Sequence, residues 1–230
     1  MEKVNLITEQ EKRDIELIGR TAKKYHIMTP PVVFLELELK NRYGDIISSQ
    51  TQLAKSWVRN AYNLLMQQVG FGEFLTDTFG AGYLTLKDTG GGIRGISWGL
   101  SFFVNADTGE GNTTLGIVVG SSDTAESFES YALGTIILHG ETAGKLYYSA
   151  QSKTKTYNAG TKKITVVHIR SVSGNPTPIT VKETGMYANT FSTNGYFYVM
   201  ALRDVLTSPV TINDTETLTV TYKTEQTFPY

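Results

Sequence analysis

From Leu100 onward the chain is a succession of short apolar runs separated by turn residues, and this rhythm restricts the fold more than any other feature. The runs are Leu100–Asn105, Thr114–Val119, Tyr131–Leu138, Lys145–Ser149, Ile164–Ile169, Ile179–Thr184, Tyr196–Asp204 and Thr215–Tyr222. Between them stand Asp107–Gly111, Gly120–Asp123, Gly140–Gly144, Gly174–Pro178 and Thr193–Gly195. In the last run Leu218, Val220 and Tyr222 alternate with Thr217, Thr219 and Thr221. A period of two sends these sets to opposite faces of a strand. Short strands joined by turns too brief for a crossover helix pair antiparallel. The pattern predicts a mainly β fold, an antiparallel β-sandwich or jelly roll. The 22 Gly and 13 Tyr in 230 residues suit a turn-rich β chain.

Two helices are expected beside the strands. Ser49–Val69 carries Leu53, Trp57, Ala61, Leu64 and Leu65 at helical spacing, with Ser49 and Gln52 placed as a capping box. Gly70 and Gly72 can end it. It is the natural plug for the open face of a sheet. Thr8–Tyr25 repeats the capping spacing at Thr8 and Glu11 and keeps a stripe of Ile15, Ile18, Ala22 and Tyr25. Such an arm lies either on its own domain or on a neighbour. After Pro30 and Pro31, VVFLELELK alternates as a half-buried strand, NRYGD turns, and Ile46 and Ile47 begin a short return strand. Gly70–Gly99 reads as a long glycine-rich connection pinned by Phe71, Phe74, Phe79 and Tyr83. The expected organisation is an N-terminal helical arm over 1–29. A single β-sandwich domain follows over 30–230, containing the helix at 49–69 and the loop at 70–99.

Bulk properties exclude several classes. A net charge of −1 gives no general attraction to nucleic acid or an acidic membrane. With no cysteine, neither disulfides nor thiolate metal sites are available. MEKVNLITEQEKRD lacks the apolar segment of a signal peptide, and no run approaches the roughly eighteen apolar residues that span a bilayer. A soluble chain made in a cytoplasm is expected.

The near-zero charge hides two blocks. Residues 95–144 hold six acids (Asp107, Glu110, Asp123, Glu126, Glu129, Glu141) and no Lys or Arg. Residues 145–182 hold seven bases (Lys145, Lys153, Lys155, Lys162, Lys163, Arg170, Lys182) and no Asp or Glu. The blocks either pair within the molecule, on neighbouring strands, or meet head to tail between copies, an arrangement that closes into rings. The candidate interface residues are Ile15, Ile18 and Tyr25 of the arm, Phe71 and Phe74 of the loop, and Asp107, Glu110, Glu126, Glu129, Lys153, Lys155, Lys162 and Lys163 of the blocks.

No catalytic, cofactor or metal residue is assigned. Asp-Thr-Gly occurs at Asp88 and Asp107, but nineteen residues apart in one chain, which suits turns rather than a protease dyad. Asn105, Asp107, Gly109 and Glu110 lack the alternating oxygens of a calcium loop. His26, His139 and His168 stand alone, and neither a Gly-x-Ser-x-Gly elbow nor a phosphate loop accompanies them. Tyr147, Tyr148 and Tyr157 in the basic block carry no nucleic-acid fingerprint. GIVVG reads as a buried strand. Arg203 beside Asp204 suggests a charge pair pinning a final hairpin of PVTI and TLTVTY.

An ordered set of segments carries a family resemblance: LAKSWVRNAYNLLMQQ, LGIVVGSSDTAESFESYALGTIILHG, LYYSAQ, ITVKETGMYA and YFYVMALRDVLTSPVTINDTETLTVTY. Together they resemble a group of tailed-bacteriophage virion proteins over roughly residues 32–223. The ends, before Thr29 and over Lys223–Tyr230, depart from that pattern. The resemblance implies a non-enzymatic structural component of the neck, tail or baseplate, made in the host bacterial cytoplasm and assembled as a ring-like homo-oligomer with other virion proteins. No cofactor, membrane or nucleic-acid partner is expected. The alternative is a host-surface glycan binder stacking sugars on Phe128, Tyr131, Tyr187 and Tyr196.

Overall fold

A computed structural model describes residues 3–27, 29–54, 57–69, 85–95, 106–192 and 195–228. Phe71, Phe74 and the expected strand Leu100–Asn105 lie outside the described residues. The elements in order are β1 (Val4–Asn5), α1 (Glu9–Tyr25), β2 (Val32–Lys40), β3 (Ile46–Leu53), α2 (Arg59–Val69), β4 (Thr85–Lys87), β5 (Ile93–Gly95), β6 (Gly116–Gly120), β7 (Tyr147–Tyr148), β8 (Ser152–Asn158), β9 (Lys163–Ser173), β10 (Ile179–Ser192), β11 (Gly195–Ile212) and β12 (Thr217–Thr227).

The architecture is mainly β, as the strand rhythm predicts. One sheet runs β1-β3-β2-β12-β9-β7, with β8 also on β9, and a smaller sheet runs β11-β10-β6. Every described pairing between strands is antiparallel except β1 on β3, and a single parallel bridge joins His139 to Leu146. Alternation places Val33, Leu35, Leu37 and Leu39 of β2, and Leu218, Val220 and Tyr222 of β12, on the inner face of the larger sheet. There they share one core with Val181, Met200, Leu202, Val210 and Ile212 of the smaller. GIVVG is buried throughout as β6.

Four expectations are corrected. The helix begins at Arg59, not Ser49, because Ser49–Leu53 belongs to β3. Gln50 and Gln52 sit opposite Leu37 and Leu35 of β2, and their side-chain amides donate to Ser208 O (2.8 Å) and Val205 O (3.3 Å). These bonds tie β3 to β11, so the spacing that mimics a capping box serves a cross-sheet link. Tyr131–Leu138 is not a strand. It follows β6 through one bridge at Ile136, while Tyr187 and Glu183 side chains take the amides of Leu133, Gly134 and Thr135. PVTI and TLTVTY do not form a hairpin: β11 lies in the smaller sheet and β12 in the larger, so Asn213–Glu216 turns a corner between sheets. Arg203 and Asp204 do not pair, because neighbours on a strand face opposite ways. Arg203 Nε binds Glu183 at 2.9 Å, whereas Asp204 accepts from Tyr222 Oη at 2.9 Å.

Other elements extend what the sequence shows. β10 and β11 run for 14 and 18 residues, well beyond their expected spans, bending at bulges near Val181/Glu183 and Met186/Tyr187. β8 has no apolar alternation and is exposed along its length. Part of the expected 70–99 connection is a hairpin, β4–β5.

The corner generates a prediction. Gly174 N donates to Glu216 O, and an added Cβ at Gly174 would overlap the Asn213 carbonyl oxygen, a backbone atom that cannot step aside. Gly174→Ala is expected to cost about 2–4 kcal/mol, as overpacking against backbone does. A urea titration checks it; an unchanged midpoint would show that the corner yields.

Candidate interface surfaces

The N-terminal arm is a helix finished at both ends. Thr8 Oγ1 accepts from Glu11 N, Glu11 returns the bond to Thr8 N, and His26 caps the C-terminus in the left-handed region. The arm is tethered twice. β1 adds in parallel to β3, and Thr29 and Thr227 exchange backbone and hydroxyl bonds. Between these tethers it packs lightly. Ala22 is its one buried residue among those described, and a cavity of about 210 Å³ remains between Gly19, Ala22, Lys23, Ile27, Thr29, Thr227 and Phe228. Ile15 is half-buried; Ile18 and Tyr25 are 39% and 61% exposed.

Beyond the arm, two buried arginines fix the loops. Arg203 is 3% exposed and Glu183 is fully buried. The guanidinium also donates to Thr124 O (2.8 Å) and Ala125 O (3.1 Å), and the carboxylate also accepts from Gly134 N and Thr135 N. One ion pair thus holds both ends of the 124–135 loop. Gly120 is required beside it, since a Cβ there would lie 2.6 Å from Glu183 Oε1 and from Thr135 O. Tyr187 Oη accepts from Leu133 N, and burial pushes its phenol up to about 12. Arg170 of β9 donates to carbonyls, Ser149 O, Leu115 O, Ile117 O, Gly109 O and Asn112 O, at 2.7–3.2 Å, and lies over the Tyr148 ring. Burial lowers it to about 10, so it stays charged at neutral pH.

The acidic and basic blocks meet inside one chain. Lys153 pairs with Asp107, and Lys182 with Asp123 at 2.8 Å. Glu126 accepts from Val205 N, Glu129 pairs with Arg59, and Lys163 pairs with Glu225. Asp107–Lys153 and Asp123–Lys182 join the two blocks, whereas Arg59 and Glu225 lie outside them. Solvent screens these exposed pairs, which add little to stability. Glu110 and Lys155 are exposed, and Lys162 is a half-buried turn residue at φ 53° between β8 and β9. The histidines also serve locally: His139 Nδ1 accepts from Tyr148 N, and His168 lies 3.1 Å from Gln151, where burial lowers its pKa below the ordinary imidazole value. No group of three or more metal-ligating side chains converges among the described residues, and no described helix is long and apolar enough to cross a membrane.

The aromatic candidates separate. Tyr187 is buried and hydrogen-bonded, so it offers no ring to a ligand, a correction of the sequence expectation. Tyr131 lies under Lys87 Nζ at 3.9 Å. Tyr196 and Phe128 are 75% and 50% exposed. Sequence reasoning missed Tyr62, which meets Phe128 at 5.7 Å and lines a cavity of about 150 Å³ with Pro30, Pro31, Trp57 and Ala61. The signal was present in SWVRNAYN, but there Tyr62 reads as an off-stripe helix residue.

No family model, curated protein or solved structure is significantly similar to the chain.

Removing Arg203 would strand the buried Glu183 carboxylate. Arg203→Ala is expected to cost about 3–5 kcal/mol, whereas Glu183→Gln with Arg203→Met costs less than the sum of the two single changes. A double-mutant cycle in chemical denaturation checks this; additive costs would show that the pair is not coupled.

Asp88 governs the β4–β5 hairpin. Burial raises its carboxyl, but Arg94 at 2.6 Å and the amides of Gly92 and Gly90 outweigh this and hold it below the ordinary carboxylate value. A depressed folded pKa gives stability that is full above the unfolded value of about 3.9 and fades as pH falls below it. Asp88→Asn should therefore flatten the stability profile below about pH 4 and lower stability near neutrality. Melting temperatures across that range test it; parallel profiles for the two proteins would contradict it.

Proposed function

We propose that the chain is a non-enzymatic structural component of a tailed-phage virion, in the neck, tail or baseplate, acting through contacts with its own copies and with other virion proteins. The observation that carries this reading is the arm: a capped helix tethered at both ends, packed through little more than Ala22, with Leu17, Ile18 and Tyr25 exposed. A soluble monomer gains little from such a helix, because an apolar face stabilises only when it is covered. The segments that carry the phage resemblance also meet in space. Trp57 of SWVRN bridges Leu202 beside RDVL, and Gly120 of GIVVG abuts Glu183, the partner of Arg203. They read as one structural unit around a buried ion pair, which supports treating them as a single signature.

Antibody labelling and mass spectrometry of purified particles test the proposal. The expected result is a multi-copy virion component at one axial position. A chain abundant in lysed cells but absent from purified particles would overturn it.

Glycan binding keeps one favourable observation, the exposed Tyr62–Phe128 pair beside the cavity at Trp57. A glycan array with the intact chain and with Tyr62→Ala addresses it: binding lost on substitution supports a host-surface role, and a blank array removes it.

A further inference from the structure

We propose that α1 pairs antiparallel with α1 of a second copy about a two-fold axis. The inference deepens the structural-component reading and rests on its premise of self-assembly.

The helix has two apolar faces. At 100° per residue, Ile15, Gly19 and Ala22 share the side turned to the body, where burial is concentrated. Leu17, Ile18, Thr21 and Tyr25 share another side, with Gln10 and Asp14 between them, and all six are exposed. Leu17, Ile18 and Tyr25 are 57%, 39% and 61% accessible, too apolar a surface for a helix whose remaining positions are mostly charged.

Charge selects the occupant. Residues 9–16 carry Glu9, Glu11, Asp14 and Glu16 against Lys12 and Arg13, while residues 17–25 carry Arg20, Lys23 and Lys24 and no acid. On the same wheel Asp14 lies within the exposed face and Lys24 at its border, while Glu9, Glu16 and Lys23 turn away from it, so an antiparallel copy sets Asp14 of each helix against Lys24 of the other and opposes the two helix dipoles favourably. A parallel copy sets like against like. The surface is therefore complementary to itself under a two-fold rotation, which is what an isologous contact needs. Seventeen residues make a helix roughly 25 Å long. One such contact falls short of the roughly 1,200 Å² of a stable interface, so pairing is concentration-dependent in solution and gains from repetition in an assembly.

The chain has no cysteine, so introduced thiols report without interference. Full-length Asp14→Cys and Lys24→Cys chains, mixed and treated with a short bismaleimide, should give mixed dimers in about tenfold excess over dimers of either variant alone. Lys155→Cys on β8 sets the background. Ile18→Asp in the wild-type chain should weaken self-association by about tenfold in sedimentation without lowering the melting temperature, and high salt should weaken the wild-type contact. Dominant same-variant dimers, which indicate a parallel pair, or cross-linking no higher than the Lys155→Cys background would overturn the proposal. So would self-association unchanged by Ile18→Asp. A chain found in purified particles without these cross-links would leave the structural reading standing and defeat the helix pairing alone.

Discussion

The Glu183–Arg203 pair is the constraint around which the sandwich is arranged. Two charges at 0% and 4% side-chain exposure are costly to desolvate, and their mutual attraction compensates only if every remaining donor and acceptor is used. The chain uses them by bringing Thr124, Ala125, Gly134 and Thr135 to the pair through their backbones. The loop is thus shaped by the electrostatic needs of two strand residues rather than by its own turn chemistry. Gly120 follows from the same need, because only a residue without a side chain lets β6 come so close to the carboxylate. Arg170 solves the companion problem without an acid, saturating one guanidinium with carbonyls from two loops. A planar fork of donors can cross-link several backbone segments at once, which a lysine cannot do.

What was legible in the sequence is what depends on nearest neighbours. The alternation of β2 and β12 follows from period two, and the Thr8–Glu11 cap from residues three apart. What was hidden depends on partners far along the chain. Ser49 to Gln52 has the spacing of a cap, but its glutamines answer carbonyls of β11 some 150 positions away. Charged residues within β10 and β11 look like strand ends because a single sequence cannot show that Glu183, Arg203 and Asp204 are buried. The same blindness made Arg203 and Asp204 look like a pair when the pleat sends them apart. β8 escaped because its residues are mostly polar on both faces and its pairing with β9 runs through the backbone. Of the candidate site, the arm was legible, while the fate of the charge blocks was not, since both arrangements satisfy the same composition.

That internal pairing changes what the surface has left to offer. Asp107, Asp123 and Glu129 of the acidic block each face a cation of the same chain, which leaves less of that block's charge to hold a neighbour. Sheet extension is discouraged as well. β8 is an outer strand whose Lys153 and Lys155 would meet one another in a second copy, and lysines on an edge oppose strand addition. At the other edge of the larger sheet β1 covers β3 at Gln50 and Thr51. With several of these charges paired inside the molecule and lysines along β8, the exposed apolar side chains of the helical arm keep an energetic reason to find a partner.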